Sequence, residues 1–416
     1  QPGAAIPEPE SLDQPEVAAP GLHEKPSIAV LPFTNMSGNP KQEYFADGIT
    51  EDIITELSRF KNLFVCARHS SFTFKGKTVD VKTAGRELDA NYIVEGSVRK
   101  VGNRVRVTVQ LVSADSGSHI WAERYDRDLD DIFAVQDEVV SSVVAQLGVS
   151  LRREAMEFIR GRPTDNLTAY DNLLHARAAW WRGEWNEGFS YTQSALEADP
   201  DYAQAHAWMA LQYAYQTYGR SMGLTDDEIC IGAKRHAEEA LRLNDQDPFI
   251  HMAASMAFGF TPIPDKHRGL RHSNISYDMN PHDFDVLYCR AYHLAWNGRP
   301  LEALTCLKRL DDLNPLAGFM LGECYADIYY LLERYEDCLN CYQGQGEAPS
   351  QVKVLMAASL AKLDRVVEAK SYMEELRRHD PDFDVEGFAR GNIALCANDR
   401  DAERLRTGFR LSGVNV

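Results

Sequence analysis

The stretch LPFTNMSGNPKQEYFADGITEDI, residues 31–53, runs from an apolar segment through a Ser-Gly-Asn-Pro turn into an acidic, helix-patterned segment. A glycine-bearing loop ahead of a helix can cradle phosphate with its backbone amides, so Asn35, Ser37, Gly38 and Asn39 form a weak candidate loop for a nucleotide. No Lys-Ser or Lys-Thr pair follows the glycine, which excludes a Walker motif. Glu43, Asp47 and Glu51 recur every four residues and place three carboxylates on one helix face. Carboxylates there suit the helix dipole but would repel a phosphate. The loop is therefore expected to turn the chain or contact protein, and the acids to form a solvated face rather than a metal site.

Other candidates are weaker. Cys338 and Cys341 form a CxxC without a second pair, inside a helical pattern, and read as buried thiols. His267 and His272 are five apart and off a common helix face. Trp180, Trp181 and Trp185 read as packing between helices rather than a ligand platform. Arg99, Arg104 and Arg106 read as the solvent face of a strand. The residues carry no catalytic set, no metal set and no required cofactor, so no enzyme is expected within them.

The elements that would position these groups divide the chain. Residues 1–26 hold six of the 18 prolines and no apolar period, which is a linker composition. A linker implies a further object before it. Residues 27–160 alternate strand and helix patterns: SIAVLPF is a buried strand, and Phe45, Ile49, Ile53 and Leu57 form a helix stripe. The segment 62–68 reads as a second strand, and 131–160 as a long helix. Gly102-Asn103 marks a tight hairpin, with Val105, Val107, Val109 and Leu111 on one face. This is an α/β domain with a mixed sheet.

Residues 165–381 read as helix pairs. Pro200, Pro248, Pro281, Pro315, Pro349 and Pro381 stand in similar contexts at intervals of 48, 33, 34, 34 and 32 residues. Intervals near 34 are the tetratricopeptide period, and the long first one implies an insertion, assigned to QTYGRSMGLTDDEIC. Small residues fall about 12 positions before each proline: Gly188, Ala233, Gly269, Ala303, Cys338 and Ala369. Trp208, Leu211 and Tyr215 keep the W-x2-L-x3-Y spacing of a first helix. Six repeats are expected, forming an all-α solenoid closed by capping helices over residues 382–416. Its groove would bind a protein or peptide partner, through candidates Asn172, Arg177, Trp208, Gln212, Tyr215, Tyr288 and His293.

Composition narrows the partners. Apolar residues make up 44% and charged residues 25%, and the net charge is -18. That charge disfavours nucleic acid and anionic membrane surfaces, which attract basic patches. The longest uncharged apolar stretch, residues 248–264, is too short and too broken by proline to span a bilayer. Eight unevenly spaced cysteines suit a reducing, cytoplasmic compartment over an oxidising, periplasmic one.

The segment from SIAVLPF to DDIFAVQDEV resembles a TolB-like (FlgO-like) domain, in the form found in rhizobial-type bacterial class III adenylate/guanylate cyclases. In that family a cyclase domain, or sometimes a winged-helix domain, precedes a linker, this α/β domain and tetratricopeptide repeats. The resemblance implies a non-catalytic regulatory and interaction module attached to a signalling output that lies before Gln1. A homodimer is implied too, since class III active sites form between two chains. A small-molecule or nucleotide sensor, with its ligand in the α/β domain or at its junction with the repeats, is the alternative.

Overall fold

The computed structural model describes residues 25–147, 163–219, 223–316, 321–343 and 346–416. Nearly all of the expected linker, and the expected long helix beyond residue 147, lie outside them. The first part is a mixed sheet with helices. The parallel strands are β1 (Ser27–Val30), β2 (Thr34–Asn35) and β3 (Phe64–Val65). The long strands are β4 (Tyr92–Val101), β5 (Arg104–Ser113) and β6 (His119–Asp128). The order is β3-β1-β4-β5-β6, with β2 also on β4; β1 runs parallel to β3 and β4, while β4, β5 and β6 are antiparallel. β1 is buried on both faces, as its unbroken apolar sequence requires.

Helix α1 (Glu43–Ser58) buries Phe45, Ile49, Ile53 and Leu57, the stripe read from the sequence. Short helices α2 (Arg68–Phe72) and α3 (Val81–Glu87) follow, and α4 (Ile132–Gln146) buries Val135, Val139, Val140 and Val143. The β4–β5 hairpin closes at Val101 and Arg104 around Gly102, whose φ of 57° supplies the mirror-image turn. Val105, Val107, Val109 and Leu111 are buried, while Arg104 and Arg106 pair across the sheet with Asp126. One expected strand shrinks. Only Phe64 and Val65 of residues 62–68 pair with β1 in the ladder, because the Ala67 amide donates instead to Leu313 of the helical part, at 2.7 Å.

From residue 167 the described residues form successive helix pairs. They are α5 (Leu167–Trp181) with α6 (Trp185–Ala198), α7 (Ala203–Gly219) with α8 (Asp226–Leu243), and α9 (Pro248–Gly259) with α10 (Lys266–Met279). Then come α11 (Phe284–Trp296) with α12 (Pro300–Leu313), α13 (Gly322–Leu331) with α14 (Tyr335–Asn340), and α15 (Ser350–Lys362) with α16 (Val366–His379). The six small residues at repeat spacing are all buried at the second helices.

Four of the turns inside pairs share one geometry. Gly183, Gly298, Glu333 and Asp364 have φ between 61° and 74°. In each, the next amide reaches back five residues: Glu184 to Ala179, Arg299 to Leu294, Arg334 to Tyr329, Arg365 to Leu360, all at 2.9 Å. This satisfies carbonyls that a helix end leaves bare. The two last helices, α17 (Val385–Leu395) and α18 (Asp399–Leu411), do more than cover α16. They fold back along earlier first helices: Ala397 donates to the Trp296 carbonyl at 2.9 Å, and Arg404 to the Leu331 carbonyl at 2.8 Å.

Gly96 on β4 tests the sheet. A Cβ there would lie 2.5 Å from the Thr108 carbonyl and 3.0 Å from the Phe33 ring. Gly96→Val is expected to lower stability by about 1–3 kcal/mol or more, read as a lower urea midpoint at unchanged slope.

Candidate functional site at the junction of sheet and helices

The groups with the most constrained chemistry meet where α1 packs on α5. Arg177 of α5 donates Nε and Nη2 to Glu51 Oε2 at 3.0 and 2.6 Å, and Nη1 to Asp52 Oδ1 at 2.7 Å. Arg68, at the start of α2, pairs with the other Glu51 oxygen and lies over the Trp181 ring at 4.4 Å. Asp52 Oδ2 also accepts from the Tyr170 hydroxyl at 2.9 Å and from Gln136 Nε2 at 2.8 Å. Side chains of three elements, α2, α4 and α5, thus converge on two adjacent carboxylates of α1.

Burial alone would raise the pKa of Glu51, yet Arg68 and Arg177 outweigh it and hold the carboxyl below its ordinary value. Glu51 was expected on a solvated face with Glu43 and Asp47. Instead it is 6% exposed, because its partners arrive from α2 and α5. Asp47 and Glu43 both pair with Lys75, and Glu43 is the most exposed of the three acids.

Further contacts tie the same surfaces. Tyr44 donates to Asp171 at 2.7 Å, Lys100 reaches the same oxygen at 2.9 Å, and His175 stacks on Tyr44. Ser70 donates to Asn314 at 2.7 Å, and Asn280 donates to Ser58 Oγ at 2.9 Å.

Between these contacts lies a cavity of about 530 Å³. Glu51, Asp52 and Arg59 of the α1 region line one side, and Asp247, Asn280, Asp283 and Asp285 the other. Asp283 caps α11 by accepting from the Val286 amide at 3.0 Å, and Asp285 sits in the first turn. Burial, then the neighbouring Asp283, pushes the Asp285 carboxyl up to about 7. Glu56 is also raised to about 7, again chiefly by burial. His69 stands between Trp181 and Phe284 and is pulled down to about 4 by burial and Arg68, so it is neutral near pH 7.

The opening loop closes on itself. Asn35 Nδ2 donates to the Asn39 carbonyl at 2.9 Å, Asn35 Oδ1 accepts from the Ser37 amide, and Asn39 Oδ1 from the Lys41 amide. Ser37 Oγ accepts from the Lys100 amide at 2.9 Å, and Gly38 takes φ 75°. These side chains are spent on the turn and on β4, and the Ser37 and Lys41 amides are taken within the loop.

The seven groove candidates do not form one surface. Arg177 is held by Glu51 and Asp52, as above. Trp208 is 8% exposed, against Phe249 and Trp180, and lines the cavity. Gln212 and His293 are 2% and 1% exposed, so both face other helices rather than an open groove. His293 meets Gly259, Gly269 and Phe260, and burial pulls it down to about 3. Asn172, Tyr215 and Tyr288 stay half-buried, with Tyr215 against Trp180 and Tyr288 between Phe284 and Tyr292.

Cys338 is buried, and burial raises its thiol well above the ordinary range; Cys341 is raised to about 11 for the same reason. His272 pairs with His251, Nδ1 to Nδ1 at 2.9 Å, and not with His267. Among the described residues no three His, Cys, Asp or Glu groups converge as a metal site needs, and no helix is long and apolar enough to cross a membrane. Sequence reading missed Asp283, Asp285 and Asn280; the DFDV helix start marks Asp283 as a cap but says nothing of the cavity.

Comparison with known proteins adds the following. A family model described as HilA/YgeH-like transcriptional regulator, second domain, matches residues 24–142. A protein of Rhizobium meliloti (strain 1021) named "Putative adenylate cyclase 3" is 43% identical over 262 residues, 61% of this chain. The match spans 44% of that relative, so the chain corresponds to less than half its length. Among solved structures, TolB from Acinetobacter baumannii is 16% identical, covering 30% of this chain and 29% of that one, with a TM-score of 0.24. A tetratricopeptide repeat protein from Parabacteroides merdae is 11% identical, covering 59% of this chain and 99% of that one, with a TM-score of 0.34. Both scores are too low to establish a common fold across the whole chain.

Three substitutions test the junction. Arg177→Ala strands Glu51 and Asp52 and is expected to lower stability by about 3–5 kcal/mol in a denaturant titration, with Asp52→Asn recovering part of the loss. For Asp285 the folded pKa lies above the unfolded one. Its carboxyl therefore opposes folding increasingly as pH rises from about 4 to about 7, and by a constant amount above that. Asp285→Asn is expected to raise the melting temperature by a few degrees at pH 8 and by less at pH 5.

Proposed function

We propose that this chain is a non-catalytic regulatory and interaction module of a bacterial signalling protein. In this reading a TolB-like α/β domain and a tetratricopeptide solenoid act as one body, with domain limits at residues 27–160, 165–381 and 382–416. The observation that carries it is the Glu51–Asp52–Arg177 cluster, a buried charged junction between the two parts. A module that passes a signal along a chain needs such a joint. The relative named as an adenylate cyclase supplies the direction: an output domain of that class beyond this chain, with cyclic AMP as its product. Partner binding or dimerisation would regulate it.

The surface left for a partner is the first-helix face of α11 and α13. There Tyr288 and Tyr292 have ring centroids 5.0 Å apart, and Tyr325 and Tyr329 stack at 5.4 Å, all half-buried. Aromatic side chains with one open face suit a protein contact. A second reading, in which the same body serves a winged-helix transcriptional regulator, is favoured by the family model over residues 24–142.

Light scattering on the 416-residue chain, with and without Tyr325→Ala and Tyr329→Ala, tests the interaction role. A dimer or a captured partner weakened by these changes is expected. A strict monomer that retains no partner from a bacterial extract argues against it. Assay of the chain with ATP and divalent metal is expected to yield no cyclic AMP.

A further inference from the structure

Among the described residues the junction cavity is lined by more acids than bases: Glu51, Asp52, Glu56, Asp247, Asp283 and Asp285 against Arg59, Arg68 and Arg177. The arginines are committed: Arg177 to Glu51 and Asp52, Arg68 to Glu51, and Arg59 to Glu56 at 3.1 Å and Asp247 at 3.7 Å. His69 and His282 are both pulled down to about 4 by burial and neighbouring cations, so neither supplies positive charge near pH 7. Among the described residues, Asp283 has the Val286 amide at 3.0 Å but no ion pair, and the Asp285 carboxylate has neither a hydrogen bond nor an ion pair.

A second observation points the same way from a neutral group. Asn280 is 1% exposed and lines the cavity. Ser58 donates its single hydroxyl proton to the Thr55 carbonyl at 2.7 Å, so its oxygen can only accept, and the Asn280 amide nitrogen donates to it at 2.9 Å. That fixes the amide orientation and leaves Asn280 Oδ1 as a buried acceptor that no donor among the described residues reaches. A buried unsatisfied acceptor is disfavoured by about 1–3 kcal/mol, so it marks a place where a donor is expected. The cavity volume lies within the range of small-molecule sites. Its lining also includes Trp181, Trp208, Phe249 and Phe284, apolar surface suited to the organic body of a ligand.

We propose that this cavity binds a small organic cation bearing N–H donors, an amine or guanidinium compound, with Asp283, Asp285 and Asn280 Oδ1 as its receptors. Because the cavity is walled by both the sheet-bearing part and the helix pairs, occupancy would draw the two together. The proposal does not depend on which output domain or partner the chain serves.

Isothermal titration calorimetry on the 416-residue chain tests it with cadaverine, agmatine and tyramine. The neutral and anionic counterparts of cadaverine, 1,5-pentanediol and glutarate, serve as probes of charge. At least one amine is expected to bind with one-to-one stoichiometry, and the diol and glutarate are expected not to. Since the chain carries a net charge of -18, weak surface attraction of amines is anticipated. Asp285→Asn alters that total by one unit, and Asp283→Ser by one unit while keeping a helix cap. Each is expected to weaken binding about tenfold or more. No heat from any amine at millimolar concentration, equal binding of the diol, or unchanged affinity in both variants overturns the proposal.

Discussion

Everything in this structure hangs on where Arg177 is held. A guanidinium removed from water is tolerated only when its donors are taken by charged acceptors in good geometry. Glu51 and Asp52 provide that, and both belong to α1, the helix that packs beneath the sheet. The fork therefore fixes α5 against α1 in one register. It also fixes Tyr170 and Gln136, whose polar atoms share Asp52. Removing the pair in favour of apolar residues could leave stability intact, but the angle between the two parts would lose its specification. Charge here selects a geometry more than it adds stability.

The helix pairs are held by a different principle. Each pair repeats a small residue at the crossing, and four repeat a left-handed turn with a five-residue hydrogen bond behind it. Arg299–Glu302, Arg334–Asp337 and Arg365–Glu368 repeat at the same place in successive second helices, at 2.5–2.6 Å. They are exposed and contribute little each. Their regularity reflects local sequence repeating as local structure. The long-range contacts then break the symmetry: the sheet-bearing part covers the loops before α11 and α13, and α18 folds over α13 and α15. What remains open on the first-helix face is confined to the middle.

The division between what could be read and what could not follows these two principles. Proline spacing, small residues and the alternation of Val105, Val107, Val109 and Leu111 are local signals, and the helices and hairpin they predict are present. The charge cluster is not local. Glu51 and Arg177 are 126 residues apart, and nothing in the acidic spacing of α1 distinguishes a solvated carboxylate from one that will meet an arginine. Arg177 and Trp208 read as groove residues because first helices line the concave side of such a solenoid. The sheet-bearing part occupies that side, so both became junction residues. His293 and Gln212 failed for a simpler reason: the helix face toward a neighbouring helix and the face toward a groove differ by one step in the period.

The cavity follows from the same constraint that fixes the junction. α1 is held to α5 by the arginine fork and to the α10–α11 loop by Ser58 and Asn280, two anchors on opposite sides of a space. Between them Asp283 must stay an acid or its equivalent to cap α11, and Asp285 follows two residues later in the first turn, where the helix dipole favours an anion. The helix start thus brings two carboxylates to a place from which the anchors exclude other protein. Their mutual repulsion and burial raise the affinity of the pair for anything cationic, a proton included. A proton satisfies one charge but offers nothing to Asn280. A donor-bearing organic cation satisfies all three groups at once.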